Sequence, residues 1–436
     1  MHTNGWYYKN GGFYMEKKLF SRDFTLVVAG QIVSLFGNAA IRFALPLYLL
    51  NQTGSAALYG MVTACAFLPS MILSPLGGMI ADRVNKRNIM VVLDFFTAAV
   101  LFGFFLLFTE GGISSGKGLT VLLAVTLMIL YGIAGAYQPA VQASMPALVE
   151  KENLMAANSV INVVSSLASL LGPVLGGLLY SAYGLLPVLV LCAVCFFLSA
   201  VMECFIRIPH RKRERGGSVG EMIRQDFSES FRFIRKEKPV VGKGVLVTFG
   251  INLFLSAMIT VGIPYLVTEV FPLEASLANR LCGFAQGSLA AGGLAGGILA
   301  GIFGKRLKIQ KAGNLLMACA ACVFPIAGAL LFIPSGMGNF LVLSVCSFAI
   351  MLLATVFSVQ VMAFVQAETP PALVGKVISL VMAVNMCAHP LGDGFYGFLF
   401  EAFYGLEFVV ILFSGTATFL VAFFTRRVYH HMSRQS

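Results

Sequence analysis

Gly78-Met79-Ile80-Ala81-Asp82-Arg83-Val84-Asn85-Lys86-Arg87 is a short charged stretch between two long apolar segments. Its form is G-x-x-x-D-R-x-x-K-R, and each flanking segment reaches the length of about 20 residues that a helix needs to cross a bilayer core. The stretch is therefore predicted to be a loop that joins two membrane-spanning helices.

The composition of the whole chain is that of a membrane protein. Of its 436 residues, 58% are hydrophobic and 11% are charged, and the mean hydropathy is +0.86. Soluble domains carry about 25% charged residues, so an ordinary soluble domain is excluded. We predict twelve spans, near 23–48, 55–81, 89–109, 119–147, 154–181, 184–206, 242–270, 279–303, 313–333, 338–366, 375–400 and 405–425.

The basic residues are distributed unevenly along these spans. The net charge of +11 would suit a nucleic-acid binder, but nearly all of the 30 Lys and Arg fall in or next to segments on one predicted side. The exceptions are Arg42, Lys117 and Arg280. Because basic loops stay in the cytoplasm, we expect both termini there, contact with membrane lipid, and no nucleic-acid partner. The N-terminal stretch is too polar for a signal peptide, and Met15 is an alternative start.

A polar interval divides the spans into two groups of six. It contains Ser218-Val219-Gly220-Glu221, which has the form of a capping box, followed by apolar residues at helical spacing. An amphipathic helix on or under the membrane is predicted, with a disordered linker as the alternative. The predicted segments are a cytoplasmic N-terminal segment (1–22), a six-helix bundle (23–206), the cytoplasmic linker (207–241), a second six-helix bundle (242–425) and a cytoplasmic tail (426–436).

The two groups of spans share motifs. The spacing of Gly78, Asp82, Lys86 and Arg87 recurs as Gly297-x-x-x-Gly301-x-x-x-Lys305-Arg306, 219 residues later. Gly172-Pro173-x-x-Gly176-Gly177 has a partial copy in His389-Pro390-x-x-Asp393-Gly394, 217 residues later. Two motifs at nearly the same offset indicate a duplication, and such repeats place a substrate site between the halves.

The charged stretch resembles the signature loop of the major facilitator superfamily, where it joins transmembrane helices two and three. The resemblance covers nearly the whole chain and implies an all-α integral membrane fold of twelve transmembrane helices in two pseudo-symmetric repeats. It also implies that Asp82 contacts the start of span eleven near Gly375-Lys376 and latches the cytoplasmic side, as an acid at a helix N-terminus is stabilised by the dipole. The residues of this conformational gate are Gly78, Asp82, Arg83, Lys86 and Arg87.

Span five adds a second resemblance. Gly172, Pro173, Gly176 and Gly177 are similar to the G-P-x-x-G-G element of proton-coupled exporters in that superfamily, although Ala168 stands where the family has glycine. The stretch from 139 to 158 resembles the macrolide- and siderophore-exporting branch. Independently, glycines let helices approach closely and Pro173 removes a backbone hydrogen bond. Such a segment could act as a pivot between helices, and close helix packing alone is the alternative role.

Three ionisable residues lie well inside predicted spans: Arg42, Asp94 and Asp393. Charged groups at that depth are costly and mark functional positions. Two further acids, Glu203 and Glu269, lie near span ends and are expected to be solvated.

The three buried charges have alternative roles. Asp94 is close in depth to Arg83, so a structural pair at the cytoplasmic gate is favoured over a role as proton carrier. Asp393 is the better proton-coupling candidate. Depth also allows an ion pair between Asp393 and Arg42, which would keep the carboxylate ionised.

In the family, spans one, four, seven and ten line the substrate cavity. Their polar residues, taken as cavity candidates, are Gln31, Asn38, Arg42, Gln138, Gln142, Asn252 and Gln360. Amides offer donors and acceptors without charge, which suits an amphiphilic or polyoxygenated ligand. Hydrogen bonding between helices is the alternative role.

Enzymes and ATP-driven pumps fit the sequence poorly. No nucleophile–base set or metal-ligand spacing is seen, and the loop at 111–118 lacks the Ser or Thr of a phosphate-binding motif. The expectation is a proton-driven secondary transporter without catalytic residues, metal or cofactor, acting as a monomer in a bacterial inner or plasma membrane. By resemblance it exports a drug, macrolide-like or siderophore-like molecule. The alternative is an importer or facilitator of a small metabolite.

Overall fold

The computed structural model describes residues 6–9, 12–15, 20–112, 116–149, 153–208, 228–303, 312–370 and 373–432. Twelve long helical segments follow one another in this part of the chain. They are α1 (Arg22–Thr53), α2 (Ala56–Arg83), α3 (Lys86–Thr109), α4 (Gly116–Leu148), α5 (Leu154–Tyr183), α6 (Leu185–Cys204), α7 (Pro239–Val270), α8 (Ala275–Phe303), α9 (Ala312–Phe332), α10 (Gly336–Glu368), α11 (Val374–Ala402) and α12 (Glu407–Met432).

Eleven of these twelve segments are long and apolar enough to cross a membrane. The remaining one, α11, carries Asn385, His389 and Asp393 among its apolar residues. The predicted fold, twelve transmembrane helices in two sets of six, is confirmed.

Two helices extend beyond the ends of the predicted spans. Ser21 caps α1 through its hydroxyl, and α1 runs five residues beyond the predicted end to Gly54, whose φ of 62° stops the helix. The predicted cytoplasmic tail from 426 continues α12 as far as Met432, because backbone hydrogen bonds extend a helix beyond its apolar part. Near the N-terminus, strands β1 (Trp6–Lys9) and β2 (Gly12–Met15) form an antiparallel ribbon that the sequence did not predict.

The helix pairings repeat after six helices. In the N-terminal half α2 packs on α4 and α3 on α6; in the C-terminal half α8 packs on α10 and α9 on α12. The halves contact each other through two equivalent pairs, α2 with α11 and α5 with α8. This symmetry agrees with the duplication read from the two motifs.

The end of the linker packs against the C-terminal half. Residues 228–232 are helical and lead into a π-turn, Phe233–Glu237. Phe233 is buried in the core, and Phe231 is 51% exposed on the surface of the protein. The capping box and the residues up to 227 lie outside the described part.

Two ion pairs also join the end of the linker to α10 and α11. The Glu229 carboxylate lies 2.7 Å from Lys376 Nζ at the start of α11, and Lys238 Nζ lies 2.6 Å from the Glu368 carboxylate at the end of α10. These two ion pairs hold the linker under the C-terminal half.

Candidate functional site

A cavity of about 630 Å³ lies between the two halves. Its walls come from α1, α2, α4 and α5 of the N-terminal half and from α7 and α8 of the C-terminal half. The polar side chains that line it are Asn38, Arg42, Tyr59, Thr63, Tyr131, Gln138, Gln142, Asn162, Ser165, Ser169, Thr260 and Gln286. The cavity thus combines hydroxyl and amide groups with a single charged side chain, Arg42, among the described lining residues.

Arg42 is fixed against the wall of this cavity. Its guanidinium carbon lies 3.2 Å from the centre of the Tyr131 ring, and one guanidinium nitrogen lies 3.4 Å from Asn38 Oδ1. A cation over an aromatic face is stabilised by the ring quadrupole. The ion pair with Asp393 that depth allowed is not formed, because Tyr131 and Asn38 hold Arg42 and Asp393 lies in the contact between α2 and α11.

Four of the seven cavity candidates, Asn38, Arg42, Gln138 and Gln142, line the cavity. The other three do not. Gln31 is buried within the N-terminal half, where its Nε2 donates a 2.6 Å hydrogen bond to the Tyr137 hydroxyl. Asn252 opens a π-turn (Asn252–Ser256), and such a turn rotates the residues that follow away from a simple 3.6-residue repeat. Gln360 is buried inside the C-terminal half.

The described bonds between the halves lie at the end of the bundle where α1 ends and α2 begins, which we call the predicted outer end. Asn51 Nδ2 donates to Asn279 Oδ1 at 2.7 Å and to the Tyr180 hydroxyl at 3.1 Å. Ser181 donates to the Ser276 carbonyl at 2.6 Å and accepts from Arg280 Nε at 3.1 Å. These bonds seal α1 and α5 against α8.

A second set of contacts seals α2 against α11. The Glu401 carboxylate accepts from the Ser55 hydroxyl at 2.5 Å and from the Ala57 amide at 3.1 Å. Gly60 and Gly397 face each other one turn deeper, and an added Cβ on either would meet backbone atoms of the other helix. The cavity begins below these contacts and extends toward the predicted inner end.

The Gly-Pro segment lies at the same seal. Gly172 and Gly176 face Ala39 and Ala40 of α1, whereas Gly177 faces Gly283 of α8. A Cβ on Gly283 would lie 2.6 Å from the Pro173 carbonyl oxygen. Small residues therefore let α5 pass close to both halves, and Pro173 itself lines the cavity.

The charged loop is described only in part. The side chains of Gly78, Asp82 and Arg83 lie outside the described residues, so the predicted latch between Asp82 and α11 stays a prediction. Arg87 donates to the backbone carbonyls of Glu203 and Cys204 at the end of α6. Within the described part, Arg87 thus joins helices of the same half.

Asp393 is fully buried in the contact between α2 and α11, where its backbone carbonyl faces Gly60. Neither carboxyl oxygen receives a hydrogen bond from a described residue, and no described cation pairs with it. An ionised carboxylate in such a place costs several kcal/mol. The neutral, protonated acid therefore fits this position.

Glu203 was missed by the sequence analysis, and its expected solvation is wrong. Its side chain is fully buried, and its Oε1 accepts a 2.6 Å hydrogen bond from the Tyr137 hydroxyl. Asp94, 2% exposed, is its acidic neighbour on α3. The signal was the apolar run Cys204-Phe205-Ile206, which continues past the glutamate and keeps it away from water. The expected partner of Asp94, the Arg83 side chain, is not described.

Comparison with known proteins gives four informative matches. The chain matches the family model of the Major Facilitator Superfamily over residues 27–392. Macrolide efflux protein A of Streptococcus pyogenes is 26% identical over 376 residues, which are 85% of this chain and 87% of that protein. A mutant of the peptide transporter POT in complex with alafosfalin has a TM-score of 0.73 at 14% identity, covering 96% of this chain and 97% of its own. A bacterial homolog to the human lysosomal transporter Spinster has a TM-score of 0.68 at 15% identity, covering 96% and 98%.

Proposed function

The chain belongs to the Major Facilitator Superfamily of membrane transporters, and we propose that it is a secondary active exporter driven by the proton gradient. In this proposal it carries an amphiphilic small molecule out of a bacterial cell by alternating access. It acts as a monomer in the plasma membrane, with both termini in the cytoplasm and without a cofactor.

The observation that carries the proposal is the cavity between the halves, together with its seal at the predicted outer end. The described hydrogen bonds between the halves lie at that end, and the proposal is that the ligand enters from the predicted cytoplasmic side, as the first step of export requires. The seal consists of hydrogen bonds and glycine contacts, and it opens when α2 and α5 separate from α11 and α8. Rocking of two repeats about a central site is the mechanism common to such folds.

The lining of the cavity supports an oxygen-rich amphiphile as the substrate. Amides such as Gln138 and Gln142 serve as both donors and acceptors, and the Arg42 guanidinium is a donor only. Carbonyl, hydroxyl and ether oxygens of a ligand would meet these groups, while its apolar parts would contact Phe43, Phe67 and Leu47. A drug, or a macrolide-like or siderophore-like compound, has these features, and the similarity to Macrolide efflux protein A favours the same class.

Asp393 is the proposed carrier of the coupling proton. It is neutral while α2 and α11 are in contact, since no cation or donor in the described structure compensates a charge there. Opening of the seal at the predicted outer end would expose Asp393 to the acidic outside, where it takes up a proton, and closure of α2 on α11 then buries the neutral acid. Release of this proton to the predicted cytoplasmic side, before the seal opens again, completes the inward transfer of one proton. Asp94 is the second candidate for the carrier of the coupling proton.

The experiment is uptake of a radiolabelled macrolide, then of a panel of amphiphiles, into everted membrane vesicles with an imposed pH gradient, acid inside. Wild type is expected to accumulate at least one compound, and Asp393→Asn to lose the gradient-driven part. Glu110→Gln removes an exposed carboxyl at the end of α3 and is the matched control, with transport unchanged. Equilibration without accumulation at any pH gradient would instead favour a facilitator, and accumulation only in vesicles of native orientation an importer.

A further inference from the structure

Inside the N-terminal half, four helices bring polar side chains into one buried cluster. It consists of Gln31 and Ser34 on α1, Asp94 and Thr97 on α3, Tyr137 on α4, and Ser199 and Glu203 on α6. Each of these side chains is at most 5% exposed. Burying two carboxyl groups so close together is costly unless a proton or a cation compensates them.

Hydrogen bonds in the cluster leave several acceptors without a donor. Gln31 donates to the Tyr137 oxygen, and Tyr137 in turn donates its only proton to Glu203 Oε1, both at 2.6 Å. The Gln31 Oε1, Asp94 Oδ2 and Glu203 Oε2 atoms receive no hydrogen bond from a described residue, and the Ser34 hydroxyl, which also has no partner, could supply only one proton to these three acceptors. A cluster with more acceptors than donors lacks protons, and a protonated carboxyl group would supply a missing donor.

In the part of the chain that the structure describes, no Lys, Arg or His side chain forms an ion pair with Asp94 or Glu203. The facing titratable and charged groups are Tyr137 from α4 and Arg87 from α3, while α1 contributes only uncharged Gln31 and Ser34. The Arg87 guanidinium donates to the backbone carbonyls of Glu203 and Cys204 and forms no described ion pair with either carboxylate. Two neighbouring acids cannot both ionise cheaply, so the pair retains a proton.

A small void lies between this cluster and the cavity. It measures about 20 Å³ and is lined by Asp94, Tyr137 and Ser34 on one side and by Asn38 and Gln138 on the other. Asn38 and Gln138 also line the main cavity. The void has room for one water molecule, and a water there would touch Asp94 on one side and Asn38 and Gln138, which also line the cavity, on the other.

We propose that Asp94 and Glu203 form a proton-binding site in the N-terminal half, filled from the cavity through this void. A hydronium ion in the cavity gives its proton to Asp94 and becomes a water molecule. Asp94 and Glu203 then hold this proton next to Tyr137, which is hydrogen-bonded to Gln31 of α1 and to Glu203 of α6. Because Asn38 and Gln138 contact both spaces, a bound ligand changes the access of water to the site. This coupling to the ligand rests on the proposed export function, whereas proton binding itself does not.

The test is infrared difference spectroscopy of the full-length protein in detergent, which detects the carbonyl stretch of protonated carboxyl groups as pH is lowered. Asp393→Asn serves as the background, so that Asp393 does not contribute. In this background a carboxyl band is expected, and it should be lost in Glu203→Gln and in Asp94→Asn. Glu110→Gln should leave it unchanged.

Tyr137→Phe keeps the ring and removes only the hydroxyl, so it should shift the frequency of the band without removing it. Thermal unfolding shows which variants are folded. If a carboxyl variant does not fold, the band shift in Tyr137→Phe still tests the proposal. An identical spectrum in all variants would overturn the proposal. So would a band that Na⁺ removes at constant pH, since a metal ion would then be the occupant.

Transport separates the two proposals. If wild-type vesicles show no gradient-driven transport of any compound, the proposed export function fails, while a carboxyl band assigned to Asp94 and Glu203 still supports the site.

Discussion

The carboxylate of Glu401, near the end of α11, caps the beginning of α2 across 344 residues of sequence, with Oε2 2.5 Å from the Ser55 hydroxyl and 3.1 Å from the Ala57 amide. An acid at a helix N-terminus satisfies free N–H groups and interacts with the helix dipole. The resemblance to the signature loop predicts the reciprocal contact at the other end of the same two helices, Asp82 of α2 at the start of α11. Each helix of this pair would then carry the acid that caps the other, at opposite ends of the membrane.

Removing the carboxylate should loosen the seal at the predicted outer end. A side-chain cap is worth ~1 kcal/mol, so Glu401→Gln is expected to speed hydrogen–deuterium exchange in a peptide covering residues 55–60 about fivefold. Mass spectrometry of the detergent-solubilised protein measures this directly. Glu110→Gln removes an exposed acid elsewhere and should leave that peptide unchanged. Unchanged exchange in Glu401→Gln as well would show that the glycine contacts alone hold the seal.

The crossing of α5 and α8 should be sensitive to one added methyl group. Gly283→Ala places a Cβ 2.6 Å from the Pro173 carbonyl oxygen, and relief of such a clash costs about 1–3 kcal/mol. The outer ends of α5 and α8 should therefore move apart.

Pulsed electron paramagnetic resonance can measure the movement, with spin labels at the exposed positions 183 and 274 on a cysteine-free background. A shift to longer distances is expected for Gly283→Ala. Gly297→Ala on the same helix meets nothing within 4 Å and should keep the wild-type distance. Equal distances in both variants would contradict a role of close packing in the seal.

The fold was predictable because it depends on features that hydropathy records directly. Apolar length gives the spans, and the two motif pairs at offsets of 219 and 217 give the repeat. Hydropathy does not show which face of a helix a residue occupies. Asn252 was predicted to line the cavity, but it opens the π-turn Asn252–Ser256, which interrupts the regular repeat.

The buried acids were harder to predict because their environment comes from other helices. Glu203 has apolar residues after it, yet only the fold shows that Tyr137, 66 residues earlier, bonds to it. The pairing of Arg42 with Asp393 failed for the same reason. The two residues were compared only by their depth along their spans, whereas in the fold the Arg42 guanidinium packs on the Tyr131 ring of α4.

Arg87 should stabilise the N-terminal half in addition to any role in gating. Its hydrogen bonds to the Glu203 and Cys204 carbonyls satisfy the end of α6, and a hydrogen bond to a charged group contributes about 1.5–3 kcal/mol. Arg87→Gln is expected to lower the thermal unfolding temperature in detergent, with Lys86→Gln as the control that removes a neighbouring positive charge. If both variants unfold like wild type and only transport changes, the contact to α6 adds nothing to stability.

Arg42 and Tyr131 should act together in substrate binding. The guanidinium carbon lies over the Tyr131 ring, 3.2 Å from its centre, and both side chains line the cavity. Cation–π contacts contribute about 0.5–2 kcal/mol, so Tyr131→Leu is expected to raise the KM for a transported compound about 2- to 30-fold in the everted-vesicle assay. Tyr131→Phe keeps the ring and should stay near wild type.

Arg42→Lys keeps the charge but loses the planar guanidinium over the ring and its forked donors, so it should resemble Tyr131→Leu. The double variant of Arg42→Lys with Tyr131→Leu should then be little worse than either single one, because both remove the same contact. Fully additive losses would mean that the two side chains contact the substrate separately. A loss in Tyr131→Phe as large as in Tyr131→Leu would assign the effect to the phenol hydroxyl and not to the ring face.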